Sequence, residues 1–271
     1  MIHYAIADVH GCRAEFEKLF GLIVQDHAQH WFGTACQIVL LGDYVDRGPD
    51  SKGVLDLICK MKRQQMPGYG WGPVSATNPQ SIIALPGNHE ELFLDLIQLF
   101  DEKANKATIE RQGLWWLENG GLQTLQSYVA NEHNHPIFDP GLQMNPDVWR
   151  DVIDRIPVLH IRLLERLLLG IEPYYIDERY QLLFVHAGIV MRKRLDDHDV
   201  ADLLWSRDTS FLLDVDAEWI EPTYTVVHGH TPADEPRIRN RRIGVDTGCF
   251  ETGILTAARF VCGKLDGFIS T

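Results

Sequence analysis

Apolar residues along the chain gather into short runs at 2–7, 37–41, 81–85, 181–185, 224–228, 242–246 and 253–260, each about one strand long. Between the first three runs the spacing changes to that of an amphipathic helix. Phe16, Leu19, Phe20 and Ile23 mark one helix over about 12–29, and Val54, Leu55, Ile58 and Met61 mark another over about 51–65. Strand, helix, strand alternation predicts a largely parallel sheet near the N-terminus. The later runs follow one another more closely, which predicts a second sheet with antiparallel pairs. Residues 67–80 are rich in Gly, Pro, Ser and Asn and read as a loop insertion, in which Tyr69 and Trp71 could form a lid. The stretch from about 89 to 170 reads as mainly helical, with breaks near Gly120-Gly121 and at 136–146.

Composition narrows this to an ordinary globular α/β chain: 271 residues, 45% hydrophobic and 23% charged, without repeat, low-complexity tract or linker. One domain over 1–271 is expected. No apolar run reaches the roughly 18 residues of a membrane span, and the start lacks a secretory pattern, so a cytoplasmic protein with no membrane partner is expected. Five widely spread cysteines without a C-x-x-C pair predict neither a disulfide framework nor a thiolate zinc site. A net charge of -13 opposes non-specific binding to nucleic acid.

The chemistry lies just beyond the predicted strands. Asp8-Val9-His10-Gly11 follows the first and Gly42-Asp43-Tyr44-Val45-Asp46-Arg47-Gly48 the second. Gly87-Asn88-His89-Glu90 follows the third, and two later strands lead into His186-Ala187-Gly188 and His228-Gly229-His230-Thr231. An isolated Asp at a turn is usually an N-cap, and an isolated His after an apolar strand is usually structural. Together, at carboxyl ends of strands where α/β sheets bind ligands, the same residues can converge on one site. Carboxylate, imidazole and amide oxygen suit Mn, Fe or Zn without any cysteine. No P-loop is present, and none of Cys12, Cys36, Cys59 and Cys249 has the Arg six positions later that a cysteine phosphatase uses.

In this order the motifs resemble the metallophosphoesterases, specifically the bacterial and phage branch of the serine/threonine protein phosphatases. The resemblance implies a four-layer α/β/β/α sandwich of two mixed sheets flanked by helices. It also implies two divalent metal ions, manganese foremost, with Fe, Zn, Ni or Mg as alternatives. By the same resemblance Asp8, His10 and Asp43 hold one metal, and Asp43, Asn88, His186 and His230 hold the other. His89 matches a general acid, Asp46 the carboxylate that orients it, and Arg47 and Arg207 the phosphate-gripping arginines. The implied reaction is in-line attack on phosphorus by a hydroxide bridging the metals.

The chain departs from the family at Ala7, where Gly is usual, and in having Phe250 but no tyrosine in the segment after Asp246-Thr247-Gly248. Trp115-Trp116 resembles a family segment near the site, although paired tryptophans more often pack. Arg192-Lys193-Arg194 and the cluster Arg237 to Arg242 could meet an acidic partner, the first reading better as solvated surface. By the same resemblance, Glu90 and Thr231-Pro232 match the protein phosphatase branch and imply a phosphoprotein, a phosphopeptide or another small phosphoester as substrate. The competing expectations are hydrolysis of dinucleoside polyphosphates and, from another class, an inactive metal-binding regulatory protein.

Overall fold

The computed structural model describes residues 1–64, 80–170, 172–190, 193–207 and 224–271. The predicted loop at 67–80, with Tyr69 and Trp71, therefore falls almost wholly outside the described residues, as does Arg192.

The first three runs form β1 (Ile2–Ile6), β2 (Cys36–Leu40) and β3 (Gln80–Ala84), joined by α1 (Arg13–His30) and α2 (Ser51–Gln64). They pair in parallel, and their ends align at Ile6, Leu40 and Ala84. The last two strands, β9 (Thr256–Val261) and β10 (Lys264–Ser270), complete this sheet in the order β10-β9-β1-β2-β3. A second sheet has the order β4-β5-β6-β8-β7, from β4 (Tyr174–Asp177), β5 (Leu182–Val185), β6 (Thr225–His228), β7 (Arg237–Arg239) and β8 (Arg242–Gly244). Its inner strands β5, β6 and β8 run parallel, whereas β4 and β7 are antiparallel edges.

Alternation along β5 and β6 shows how the layers stack. Leu182, Phe184 and Val227 join the main core, where Phe184 meets Phe260 of β9 edge-to-face at 6.2 Å. Leu183, Val185 and Val226 point the other way and pack with Ile189 and Leu203, the latter from the short helix Val200–Trp205. The sheets thus share one interior and carry helices outside, the α/β/β/α order expected.

Between β3 and β4 lie α3 (Asn88–Asp101), α4 (Lys106–Trp116), α5 (Leu122–Tyr128), α6 (Pro146–Ile153) and α7 (Val158–Leu169); Val200–Trp205 is α8 and Cys249–Thr252 is α9. The expected break at Gly120-Gly121 is a wide turn over Leu117–Gly121 in which Gly120 has φ 101°. The strands that hydrophobic patterning missed, β4, β7 and β10, are all sheet edges, where polar residues such as Arg237, Arg239 and Asp266 interrupt the apolar signal. Among the described residues, no helix is long and apolar enough to cross a membrane.

Candidate active site

The aligned ends of β1, β2 and β3 deliver Asp8, Asp43 and Asn88 side by side, while β5 and β6 deliver His186 and His230 from the second sheet. The chain pays for this in backbone strain. His10 (φ 43°), Asp43 (52°), Asp46 (71°), Arg47 (66°) and His230 (63°) all occupy the left-handed region, at about 1–3 kcal/mol each for residues with a Cβ. Two glycines are required by close approach: a Cβ on Gly229 would lie 2.0 Å from Asp8 Oδ1, and one on Gly87 would lie 2.2 Å from Asp43 Oδ1.

Asp43 is the centre. Its Oδ2 lies 3.4 Å from His186 Nε2, 3.5 Å from His10 Nε2 and 3.9 Å from His89 Nε2. His186 Nε2 in turn lies 3.0 Å from Asn88 Oδ1 and 3.2 Å from His230 Nδ1. Two overlapping groups, His10–Asp43–His89 and Asp43–His186–His230, each bring their donor atoms within 4.8 Å of one another. Asp8 sits one step back, taking the His230 backbone N–H on both oxygens at 3.1 and 2.9 Å. His228, by contrast, turns its Nδ1 to the Gly229 carbonyl at 3.1 Å and faces a cavity lined by Arg237, Arg239 and Arg242. Arg237, Arg239 and Arg241 are exposed, whereas Arg242 is buried.

Backbone carbonyls set the tautomers. A carbonyl can only accept, so the contacts of His10 Nδ1 with Val45 O and of His186 Nδ1 with Leu41 O, both 2.9 Å, place hydrogen on Nδ1 and aim Nε2 at Asp43. His230 Nε2 is buried without a hydrogen-bond partner, a costly state unless a cation takes the lone pair.

His89 is held differently. Asp46 accepts its Nδ1–H at 2.7 Å, and the same carboxylate accepts the Trp116 indole N–H at 2.8 Å and the Thr124 hydroxyl at 2.6 Å. Arg47 donates to His89 Nε2 at 3.1 Å and to His10 Nε2 at 3.2 Å, with its guanidinium 4.7 Å from the centre of the Phe250 ring. Arg207 is exposed just beyond α8; no hydrogen bond ties it to the cluster, but its charge reaches His230.

Burial and charge oppose each other within the cluster. Burial pushes the Asp43 carboxyl up, but the imidazoles of His186 and His89 override it, and Asp43 stays well below the usual carboxylate range. Burial, then the neighbouring Asp246 charge, pushes Asp8 well above that range. Asp246 rises to about 6, chiefly through burial and then the Asp43 charge. Burial alone would depress His186, yet Asp43 lifts it to about 10, while His10 falls to about 3 through burial.

Four further residues help build the site. Glu90 is wholly buried and accepts the backbone N–H groups of Asp43, Tyr44, Val45 and Gly87 at 2.7–3.2 Å, pinning the β2 turn to α3. Trp116 and Thr124 hold Asp46; the resemblance of Trp115-Trp116 to a family segment near the site signals the first, and no local pattern signals the second. Asp246 belongs to the Asp246-Thr247-Gly248 segment, to which the sequence assigns no role; β8 ends at Gly244, and Asp246 joins the strand-end residues.

The profile of the calcineurin-like phosphoesterase family matches residues 4–255. Among curated relatives, the asymmetrical bis(5'-nucleosyl)-tetraphosphatase PrpE of Oceanobacillus iheyensis is 28% identical over 94% of this chain and 87% of its own. That of Geobacillus thermodenitrificans is 26% identical over 94% and 89%. Among solved structures, one assigned provisionally to a diadenosine tetraphosphatase superposes with TM-score 0.55 at 19% identity, covering 100% of this chain and 92% of that one. A cold-active protein tyrosine phosphatase superposes with TM-score 0.51 at 17% identity, covering 99% and 78%. Both structural likenesses speak to the fold alone.

Proposed function

This chain belongs to the calcineurin-like phosphoesterases, and from that premise we propose that it is a two-metal hydrolase of dinucleoside polyphosphates, cleaving the phosphate chain asymmetrically. The observation that carries the substrate class is the match, over nearly the full length of both chains, to relatives bearing that activity in their names. The expectation of a phosphoprotein substrate leaned on Glu90 and Thr231-Pro232 as marks of a family branch; Glu90 itself accepts four backbone amides and supports the site from beneath.

The donor set fits the metals: a buried unpartnered imidazole nitrogen, two imidazoles locked with Nε2 inward, and one ionised carboxylate between two groups of ligands. Asp8, His10 and Asp43 would hold one cation, and Asp43, Asn88, His186 and His230 the other, manganese being well suited to such oxygen and nitrogen donors. When bound, the pair would supply Lewis acidity and acidify water.

The remaining steps belong to side chains. His89 donates a proton or hydrogen bond from Nε2 to the leaving oxygen, and Asp46, itself fixed by Trp116 and Thr124, keeps Nδ1 protonated and the ring aimed. Arg47 moves off His10 Nε2, freeing that atom for metal, and off His89 Nε2, freeing it to carry the donated proton, and turns its guanidinium, which lies over Phe250, to the phosphate. Arg207 approaches from the α8 side. Planar guanidinium groups match phosphate oxygens in pairs, which a lysine cannot do.

Manganese-loaded protein is tested by comparing kcat/KM for diadenosine tetraphosphate and a phosphoserine peptide, with nucleotide products separated by chromatography. Preference for the dinucleotide with AMP and ATP as products is expected. A stronger preference for the peptide would return the enzyme to the protein phosphatase reading.

A further inference from the structure

Trp115 of α4 and Trp205 of α8 stack with ring centroids 5.6 Å apart and planes 15° from parallel. With Trp205 against one face and 43% of its surface exposed, Trp115 offers its other face to solvent. Trp205 donates its N–H to Glu91 at 2.5 Å, two residues past His89. Trp116, next in the chain after Trp115, donates to Asp46. Arg207 follows two residues beyond Trp205, and its charge is felt at His230. The pair is therefore tied on both sides to the segments that carry the site, with the exposed Arg207 two residues on in the chain.

We propose that the open face of Trp115 is a nucleobase subsite of the catalytic cleft: one terminal base of the substrate stacks on Trp115, and the phosphate chain runs past Arg207 to His89 and Asp43. This rests on the dinucleotide reading above. A pre-stacked, anchored indole binds a base without ordering a flexible side chain, which keeps the entropic cost of binding low. Stacking accepts any base, because each presents a π face, so adenine and guanine dinucleotides serve alike. Trp205 backs Trp115 and makes the bound arrangement a three-layer stack.

The test compares wild type, Trp115→Ala and Trp115→Phe, each manganese-loaded, on diadenosine tetraphosphate and on inorganic tetraphosphate, which has the same chain and no base. Stacking of one base on an aromatic side chain commonly supplies about tenfold in affinity. Trp115→Ala should therefore lower the dinucleotide-to-tetraphosphate ratio of kcat/KM about tenfold through KM, and Trp115→Phe should recover most of it. A ratio within about twofold of wild type in Trp115→Ala would overturn the subsite and leave the dinucleotide activity standing. Calorimetric titration with AMP reads the subsite without turnover. AMP binding that Trp115→Ala abolishes, in a protein that does not cleave the dinucleotide, would support the subsite and sink the functional reading. Absence of both binding and cleavage would sink both.

Discussion

Replacing Asp46 with Asn takes one negative charge from behind His89 and changes little else. The amide oxygen can still accept from His89 and Trp116, while its NH2 turns to Thr124 Oγ1, whose own hydrogen can pass to Ser51 Oγ at 2.9 Å. The backbone tolerates the change, since Asp46 has φ 71° and Asn enters that region as readily as Asp. What is lost is the charged part of the bond to His89. Hydrogen bonds to charged groups contribute about 1.5–3 kcal/mol against about 0.5–1.5 for neutral ones. A deficit of about 1–2 kcal/mol corresponds to a roughly 5- to 30-fold slower step wherever His89 must supply a proton. Burial pulls the His89 pKa down, and the Asp43 charge with the Asp46 bond raises it above the ordinary value overall. Removing the Asp46 charge lets His89 lose its proton at lower pH, so the basic limb of the rate profile moves down. The need for a proton also depends on the leaving group. The assay is kcat against pH for phenyl phosphate, which leaves poorly, and p-nitrophenyl phosphate, which leaves readily. The full loss is expected with the former and a smaller one with the latter. Equal losses with an unmoved basic limb would refute His89 as the donor.

Gly229→Ala places a Cβ 2.0 Å from Asp8 Oδ1 without disturbing either sheet; bound metal measured by mass spectrometry should fall from two per chain toward one or none, while the circular dichroism spectrum persists. Trp116→Phe keeps the stack on Phe93, at 5.0 Å and 11°, but deprives the buried Asp46 of a donor. It should cost about 1–3 kcal/mol, or about 2–4 °C in Tm per kcal/mol for a chain of this size. An unchanged melting curve would contradict the role given to that bond. Asp246, with a folded pKa of about 6 against 3.8, destabilises the metal-free protein as pH rises from 3.8 through 6, by about 3 kcal/mol once fully ionised. Metal-free Asp246→Asn should therefore melt higher than wild type at pH 7 and no higher at pH 4, and equal gains at both would dismiss the charge as the cause.

The strand-end motifs were legible in the chain because each combines an apolar run, which sets the strand, with glycines and ligand-type residues at the turn. Parallel register then had to bring Asp8, Asp43 and Asn88 level with one another. The first sheet followed from the alternation of 2-residue and 3.6-residue periods and the second from the closer spacing of the later runs, while their four-layer stacking followed from the family resemblance. Edge strands escaped, since a strand wetted on one side needs no apolar run, and Asp246 was legible as part of a family-like segment but not as a member of the site. Only the tertiary structure decided which way the imidazoles point, because Val45 O and Leu41 O come from a different strand turn in each case. It alone separated His230 from His228 by geometry, one facing His186 and the other a neighbouring cavity. Glu90 shows the limit most plainly: the motif marks a family branch, but only the fold shows that its carboxylate, buried beneath Asp43, is committed to the backbone. Adjacency in sequence sets which groups are near a site, whereas their direction and solvent exposure depend on contacts across the fold.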